Sequence, residues 1–298
     1  MSTALPPSVE LREVGPRDGL QVESPLPVED RMRLVRALAA AGFGTIEVGS
    51  FVSPKAVPAM VDSAAVVQAS KELGGFRVAG VVLNARGATD AVAAGVDELT
   101  AGVSASEGYS QSNTRMSIAD ALGHLEKICA TGRDAGVAID VTISCCFGSP
   151  YEGEIAPSEV AKLVTRAREL GATSVGLADT TGMATPRGVR ELLAEVGGPD
   201  IGMHFHETRG TGLVNVFASL QGGVTRFDSS VGGLGGSPFA KGAAGNVATE
   251  GVVNLLDDLG IESGVDLPKL LEAATLLEGL VGHELPSPVF KAGPRIAA

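Results

Sequence analysis

Two imidazoles separated by a single residue, His204 and His206, are the groups in this chain whose types and spacing most directly allow chemistry. The run 201–206 reads as a β-strand, and a strand alternates its faces, so residues i and i+2 project to the same side. Neutral imidazole is the commonest metal-ligating side chain, which makes the pair a candidate for half of a metal site. An isolated His-X-His is otherwise two unrelated imidazoles. The chain holds four histidines in all, and His124 and His283 fall in helix-like or terminal segments that read as structural. Two of four on one strand face favour a site.

The stretch 227–246 begins a little over twenty residues further on, is dense in glycine and ends at Asn246. Glycine reaches backbone conformations closed to other residues, so such a loop can bring its backbone against a ligand; taken alone it is also a plain flexible connection. An Asp oxygen, two imidazoles and an Asn carbonyl oxygen leave open positions around an octahedral divalent ion. Oxygen-rich ligation of this kind suits Mg2+ or Mn2+, and two histidines with a carboxylate also admit Zn2+, Fe2+ or Co2+. Such an ion polarises a substrate carbonyl or hydroxyl and holds negative charge as it develops. Arg17, beside Asp18, supplies a permanent cation for an oxyanion or enolate. Glu47 and Asp179 are placed to orient Arg17, bind the metal's waters or move protons. The structural alternatives are a buried Arg17–Glu47 ion pair bracing the fold and an Asp179 that caps the segment after it.

These groups lie far apart in sequence, so the fold must gather them. β-like runs recur at 9–14, 45–48, 77–83, 98–103, 138–145, 174–178, 201–206 and 226–230. Helical patterns alternate with them, as at 28–41, where Leu34, Leu38 and Ala41 fall at helical spacing. Pro157 and Pro186 suit the first turn of two helices, and Gly42, Gly136 and Gly171 each follow a helix-like run. Eight alternating units without a break in composition predict an α/β fold, a (β/α)8 TIM barrel over about 8–246, within a single domain 1–298. Further helices at 247–259 and 267–281 are expected to pack on or cap it. A doubly wound open sheet permits the same alternation, but no G-x-G-x-x-G follows the first strand. In a barrel, site residues sit where strands end. That rule carries Arg17, Asp18, Glu47, Asp179, His204, His206 and Asn246 to one mouth.

Composition narrows the partners. With 44% hydrophobic residues a large core is available, and a net charge of −12 argues against nucleic acid, which wants a basic stripe. No apolar run approaches the roughly 18 residues of a membrane span, and the N-terminus lacks a signal pattern. Cys129, Cys145 and Cys146 form no disulfide framework. A soluble, cytoplasmic protein is expected.

At this point the chain resembles a known family, the HMG-CoA lyases within the DRE-TIM metallolyase superfamily, from Val9 to about Leu259. The pieces that carry the resemblance are E-V-G-P-R-D-G-L-Q at 13–21, S-F-V-S-P-K at 50–55, G-S-P-Y-E-G-E at 148–154, D-T-T-G at 179–182, the His204/His206 pair, G-G-L-G-G at 232–236 and G-N-V-A-T-E at 245–250. The resemblance implies a metal-dependent carbon–carbon lyase that cleaves a 3-hydroxy-3-methylglutaryl-CoA-like thioester to acetyl-CoA and a keto acid, as in leucine degradation. It implies that Asp18, His204, His206 and Asn246 bind the cation, Mg2+ or Mn2+ first, with Zn2+ or Co2+ as alternatives. Arg17 then stabilises the enolate, Glu47 and Asp179 assist, and Gln21, Gly235 and Gly236 join Arg17 in meeting the substrate.

The sequence departs from the family pattern in two places. Ser237 stands where G-L-G-G-C-P has the cysteine that moves a proton, and Val22, Glu23 and Ser24 replace N-E-K after the R-D-G-L-Q motif. Ser237 is therefore expected as a weak proton carrier for the HMG-CoA reaction. The expected partners are a small acyl-CoA thioester, no nucleic acid and no membrane, with a homo-oligomer as an option. An aldolase-type metallolyase acting on another hydroxyacyl thioester or hydroxy acid is the second reading. A non-catalytic metal- or acyl-CoA-binding relative is the third, and the presence of all four expected ligands speaks against it.

Overall fold

The computed structural model describes residues 5–236 and 244–295. Eight parallel strands close on themselves: β1 (Glu10–Glu13), β2 (Thr45–Ser50), β3 (Arg77–Val82), β4 (Glu98–Ser104), β5 (Ala138–Ser144), β6 (Ser174–Ala178), β7 (Ile201–His204) and β8 (Arg226–Ser229). β8 pairs with β1 from Glu10↔Arg226 to Glu13↔Ser229, which excludes the open-sheet alternative. The helices between and after them are α1 (Val28–Ala41), α2 (Ser63–Leu73), α3 (Ala85–Ala94), α4 (Glu107–Thr114), α5 (Ile118–Ala135), α6 (Pro157–Leu170), α7 (Pro186–Val196), α8 (Gly212–Gln221), α9 (Thr249–Leu259), α10 (Leu267–Val281) and α11 (Pro288–Ala292).

Local chemistry explains the punctuation. Helix α1 buries Leu34, Val35, Leu38 and Ala41 on one stripe and stops at Gly42, whose φ of 104° only glycine adopts cheaply. Fully burying one leucine contributes about 1.5–3 kcal/mol, so this stripe ties α1 to the sheet. Asn84, Ser117 and Thr185 each accept a backbone N–H at the start of α3, α5 and α7. Pro157 and Pro186 open α6 and α7 as expected. Helix α10 lies along α1, and the backbone of Val9 donates to Glu262, so the C-terminal segment clasps the outside of the barrel. Among the described residues no helix is long and apolar enough to cross a membrane.

Strand β7 ends at His204, two residues earlier than the periodicity predicts. His206 is instead held by an isolated antiparallel bridge to Asn246. The glycine-rich return, not strand alternation, fixes the second imidazole.

Candidate active site

The turn after β1 brings the first two charges to the barrel mouth. Pro16 starts a π-helical turn over Gly15–Gly19, in which the Val14 carbonyl accepts from the N–H groups of Arg17, Asp18 and Gly19. Arg17 Nε donates to Glu47 Oε2 in the middle of β2, and its Nη1 donates to Asp18 Oδ1 at 2.6 Å. Burial works to lower the guanidinium pKa, yet Glu47 and Asp18 hold it above its ordinary value. Asp18 is in turn held below the usual carboxylate range, because Arg17, His204 and His206 outweigh the burial that raises it. Gln21 Nε2 donates to Asp18 Oδ1 at 2.7 Å.

The other half of the site comes from β7 and the glycine-rich return. His204 Nε2 lies 3.1 Å from His206 Nε2, and His204 Nδ1 lies 3.2 Å from Asp228 Oδ2. Asn246 Nδ2 donates to Asp18 Oδ2 at 2.6 Å and to the Leu234 carbonyl at 3.0 Å. Close backbone approach makes this possible: a Cβ on Gly245 would stand 1.9 Å from the Gly233 carbonyl oxygen, and one on Gly235 would stand 2.5 Å from Asn246 Nδ2. Gly236 lines the cavity over the cluster, beside Arg17, Asp18, Gln21, Glu47 and the two histidines. Ser237 lies outside the described residues.

The donor set fits a divalent cation. Ligand atoms of Asp18, His204 and His206 all lie within 4.8 Å of one another. His204 Nδ1 is taken by Asp228, so in the neutral ring that donates there Nε2 is the lone-pair nitrogen, and it faces the other Nε2. Among the described residues, His206 Nδ1 and Asn246 Oδ1 are buried with no partner. Burial, then the neighbouring His204, pushes His206 down to about 3, so it is neutral and free to ligate at ordinary pH. His204 itself rises, since Asp228 outweighs the burial that would lower it. A bound cation would be held by the two imidazoles, Asp18 and the Asn246 carbonyl oxygen, and would give that buried oxygen the partner it lacks.

Asp179 is used differently from the other candidates. Its Oδ1 accepts from Met183 N at 2.7 Å and Ala184 N at 2.9 Å, which holds the turn leading to α7. Its Oδ2 is buried without a partner, and burial pushes the carboxyl up to about 7. Ala178 and Thr180 line the cavity on either side of it. Two further groups were not singled out by residue type and spacing. Arg12, inside the barrel, donates to Asp228 at 2.8 Å from both Nε and Nη2, and at 3.0 Å to Glu98 and Asp140. Asp228 thereby joins that ion network to His204. Charged residues inside two short strands, E-L-R-E at 10–13 and R-F-D-S at 226–229, were the available signal.

Comparison with known proteins places this geometry. The HMGL-like family description matches residues 8–277. A Pseudomonas aeruginosa protein named 3-hydroxy-3-isohexenylglutaryl-CoA/hydroxy-methylglutaryl-CoA lyase is 43% identical over 97% of this chain and 98% of its own. The mitochondrial hydroxymethylglutaryl-CoA lyase of Gallus gallus is 39% identical over 98% of this chain and 100% of its own. Among solved structures, an HMG-CoA lyase of Acinetobacter baumannii in complex with coenzyme A and 3-methylmalate superposes with a TM-score of 0.93 at 38% identity, covering 100% of this chain and 99% of that one. A family match over most of the length, with relatives aligned end to end, has one meaning: the chain belongs to the HMG-CoA lyase family of the DRE-TIM metallolyase superfamily.

Proposed function

We propose that this protein is a divalent-metal-dependent carbon–carbon lyase that cleaves a 3-hydroxy-3-methylglutaryl-CoA-type thioester to acetyl-CoA and a keto acid. The observation that carries the reading is the Asp18/His204/His206 cluster beside the unpartnered Asn246 Oδ1, with Arg17 at its edge. The names of the relatives agree with it, and the Acinetobacter structure holds coenzyme A.

Asp18, His204, His206 and Asn246 would hold the cation, and two oxygen donors with two imidazoles favour Mg2+ or Mn2+. Once bound, the metal supplies Lewis acidity to a substrate oxygen. The rest falls to the chain's own groups. Glu47 and Asp18 take Arg17 Nε and Nη1, which leaves Nη2 as the edge for an oxyanion in a cavity that Arg17 lines. Because the guanidinium is already fixed, it costs no reorganisation as charge develops on the enolate. Gln21 holds Asp18, and Asp228 holds the His204 ring, so each group is set before substrate arrives. Asp179 keeps the β6 turn in place, and its carboxyl can carry a proton near neutral pH.

Purified protein with Mg2+ or Mn2+ and HMG-CoA, with products read by mass spectrometry, tests the reading. Acetyl-CoA with acetoacetate, abolished by EDTA and restored by metal, is the expected result. Intact thioester after exhaustive incubation with either metal rejects it.

A further inference from the structure

Three residues on neighbouring strands form a row inside the barrel. The register pairs Arg12 on β1 with Asp228 on β8, and Asp228 with His204 on β7. All three line the cavity that holds the metal cluster, so their side chains face the lumen at one level. A slip of one residue in either pairing would turn Asp228 outward. From this row Arg12 crosses the barrel, since β1 and β8 lie opposite β5 and β4 in the closed order. Its Nη1 donates at 3.0 Å to both Glu98 on β4 and Asp140 on β5, while Nε and Nη2 donate at 2.8 Å to the two oxygens of Asp228. The guanidinium, on a buried residue, is pinned at both ends.

The three carboxylates do not depend on Arg12 equally. Glu98 has a second cation in Arg77 at 3.2 Å, and Asp140 has Arg226 at 3.2 Å and the Ser174 hydroxyl at 2.5 Å. Among the described residues, Asp228 is paired with Arg12 and, on its other side, with His204 at 3.2 Å. The acid that has Arg12 as its one fixed cation is therefore the acid that meets a candidate metal ligand. A carboxylate gripped by two parallel N–H···O bonds has its plane fixed, which a single ammonium does not achieve. With that plane fixed, Asp228 Oδ2 is presented to His204 Nδ1, and His204 Nε2 is left facing His206.

We propose that Arg12 is a positioning residue of the metal site: its fork sets the Asp228 carboxylate, which in turn holds the His204 ring with Nε2 toward the cation. The inference rests on the metal-binding part of the lyase reading and extends that site down into the lumen. It also separates Arg12 from the other cations of the network. Arg226 donates to Asp140 and to the Val175 carbonyl, and Arg77 donates to Glu98, so these two brace the barrel without reaching Asp228.

The test measures Kd for Mn2+ in the purified protein from the EPR signal of the free ion, so no turnover is read. Arg12→Lys keeps a positive charge but loses the fork, and should raise Kd by about tenfold or more, within the roughly 10–100-fold range for losing a partner behind a metal ligand. Asp228→Ala removes the carboxylate and should raise Kd by a similar factor. Adding Arg12→Lys to Asp228→Ala should then change Kd by less than about twofold, because the two act through one contact. Arg226→Met takes a cation from the same network without touching Asp228, and should lower Tm while leaving Kd within about twofold. If Arg12→Lys does not fold, Arg12→Gln is read on the same scale. Should no substitution at Arg12 fold, its role belongs to the fold and the inference falls. An unchanged Kd in a folded Arg12 variant, or a further loss of about tenfold on top of Asp228→Ala, overturns the inference and leaves the lyase reading standing. So does an Arg226→Met that weakens Mn2+ binding as much as Arg12→Lys, since Arg12 is then one brace among several. A wild type that binds no Mn2+ overturns both readings.

Discussion

His204 Nε2 stands 3.1 Å from His206 Nε2, while His204 Nδ1 is tied to Asp228. The arrangement points two ring nitrogens at each other, and Asn246 Oδ1 beside them is buried without a partner. A cation repairs this, so binding should stabilise the fold by mass action. At a metal concentration of 100 times Kd the gain is about 2.7 kcal/mol, or about 4 °C in Tm for a chain of this length. Thermal unfolding with and without Mn2+ reads it directly. His206→Ala should abolish the shift while the metal-free protein still unfolds cooperatively. A metal-induced shift of equal size in wild type and His206→Ala rejects this ligand set.

Arg17 separates catalysis from stability. It is paired to Glu47, which has 0% exposure, so Arg17→Met leaves a buried carboxylate without its cation. Such half-broken buried pairs typically cost about 3–5 kcal/mol. The same change removes the donor edge offered to the enolate, worth about 3–4 kcal/mol of transition-state stabilisation, or a 10^2–10^3-fold drop in kcat. Adding Glu47→Gln should recover most of the lost stability and none of the lost kcat. Denaturant titration beside steady-state kinetics distinguishes the two effects. Recovery of both together would return Arg17 to a purely structural brace.

Glu13 makes stability fall as pH rises. Its Oε1 accepts from Gly15 N and Val231 N, and its Oε2 lies 2.8 Å from Thr249 Oγ1, which itself reaches Ser229 Oγ at 3.0 Å. A hydroxyl has one proton to give. A protonated Glu13 donates to Thr249, and Thr249 passes its own proton on to Ser229, so every group is paired. Burial pushes this carboxyl from 4.5 up to about 8, against the three hydrogen bonds. Between those values the folded state holds a proton that the unfolded chain has released. Folding stability therefore declines across that window, by on the order of 4–5 kcal/mol. Glu13→Gln reproduces the protonated pattern, with Nε2 donating to Thr249, and should flatten the decline between pH 5 and 8. An unchanged slope in unfolding titrations at those pH values rejects the assignment.

The barrel was legible because its signals are local. Eight β-like runs with helical patterns between them are visible in residue periodicity, and Pro157, Pro186 and Gly42 mark helix ends through their own backbone chemistry. The cluster was legible because strand ends in a barrel share one mouth, which brings Asp18 to His204 across nearly the whole chain. The Arg12–Asp228 pair was not, since its meaning depends on which strands close the barrel and in what register. The bridge holding His206 to Asn246 was hidden for the same reason: a return of the chain has no sequence period.

Ser237 occupies the place of a proton-carrying cysteine in the family pattern. A thiol with a pKa of about 8.5 gives up and regains a proton near neutral pH, whereas a serine hydroxyl needs an adjacent base to do so. The chain's three cysteines offer no substitute. Burial pushes Cys145 up to about 12 and Cys146 further still, and Cys129 is raised as well within α5. Wild-type turnover of HMG-CoA should therefore be limited by proton transfer, and Ser237→Cys should raise kcat by at least about tenfold, within the 10^2–10^4-fold range of general acid–base catalysis. Metal affinity should not change, because Ser237 is not among the expected ligands. In the variant, kcat should also acquire a dependence on pH near the thiol pKa that the wild type lacks. Steady-state rates of both forms between pH 6 and 9 decide the matter. Equal rates and equal pH profiles would mean that another group already carries the proton, and Asp179, with its carboxyl at about 7, would be the next to substitute.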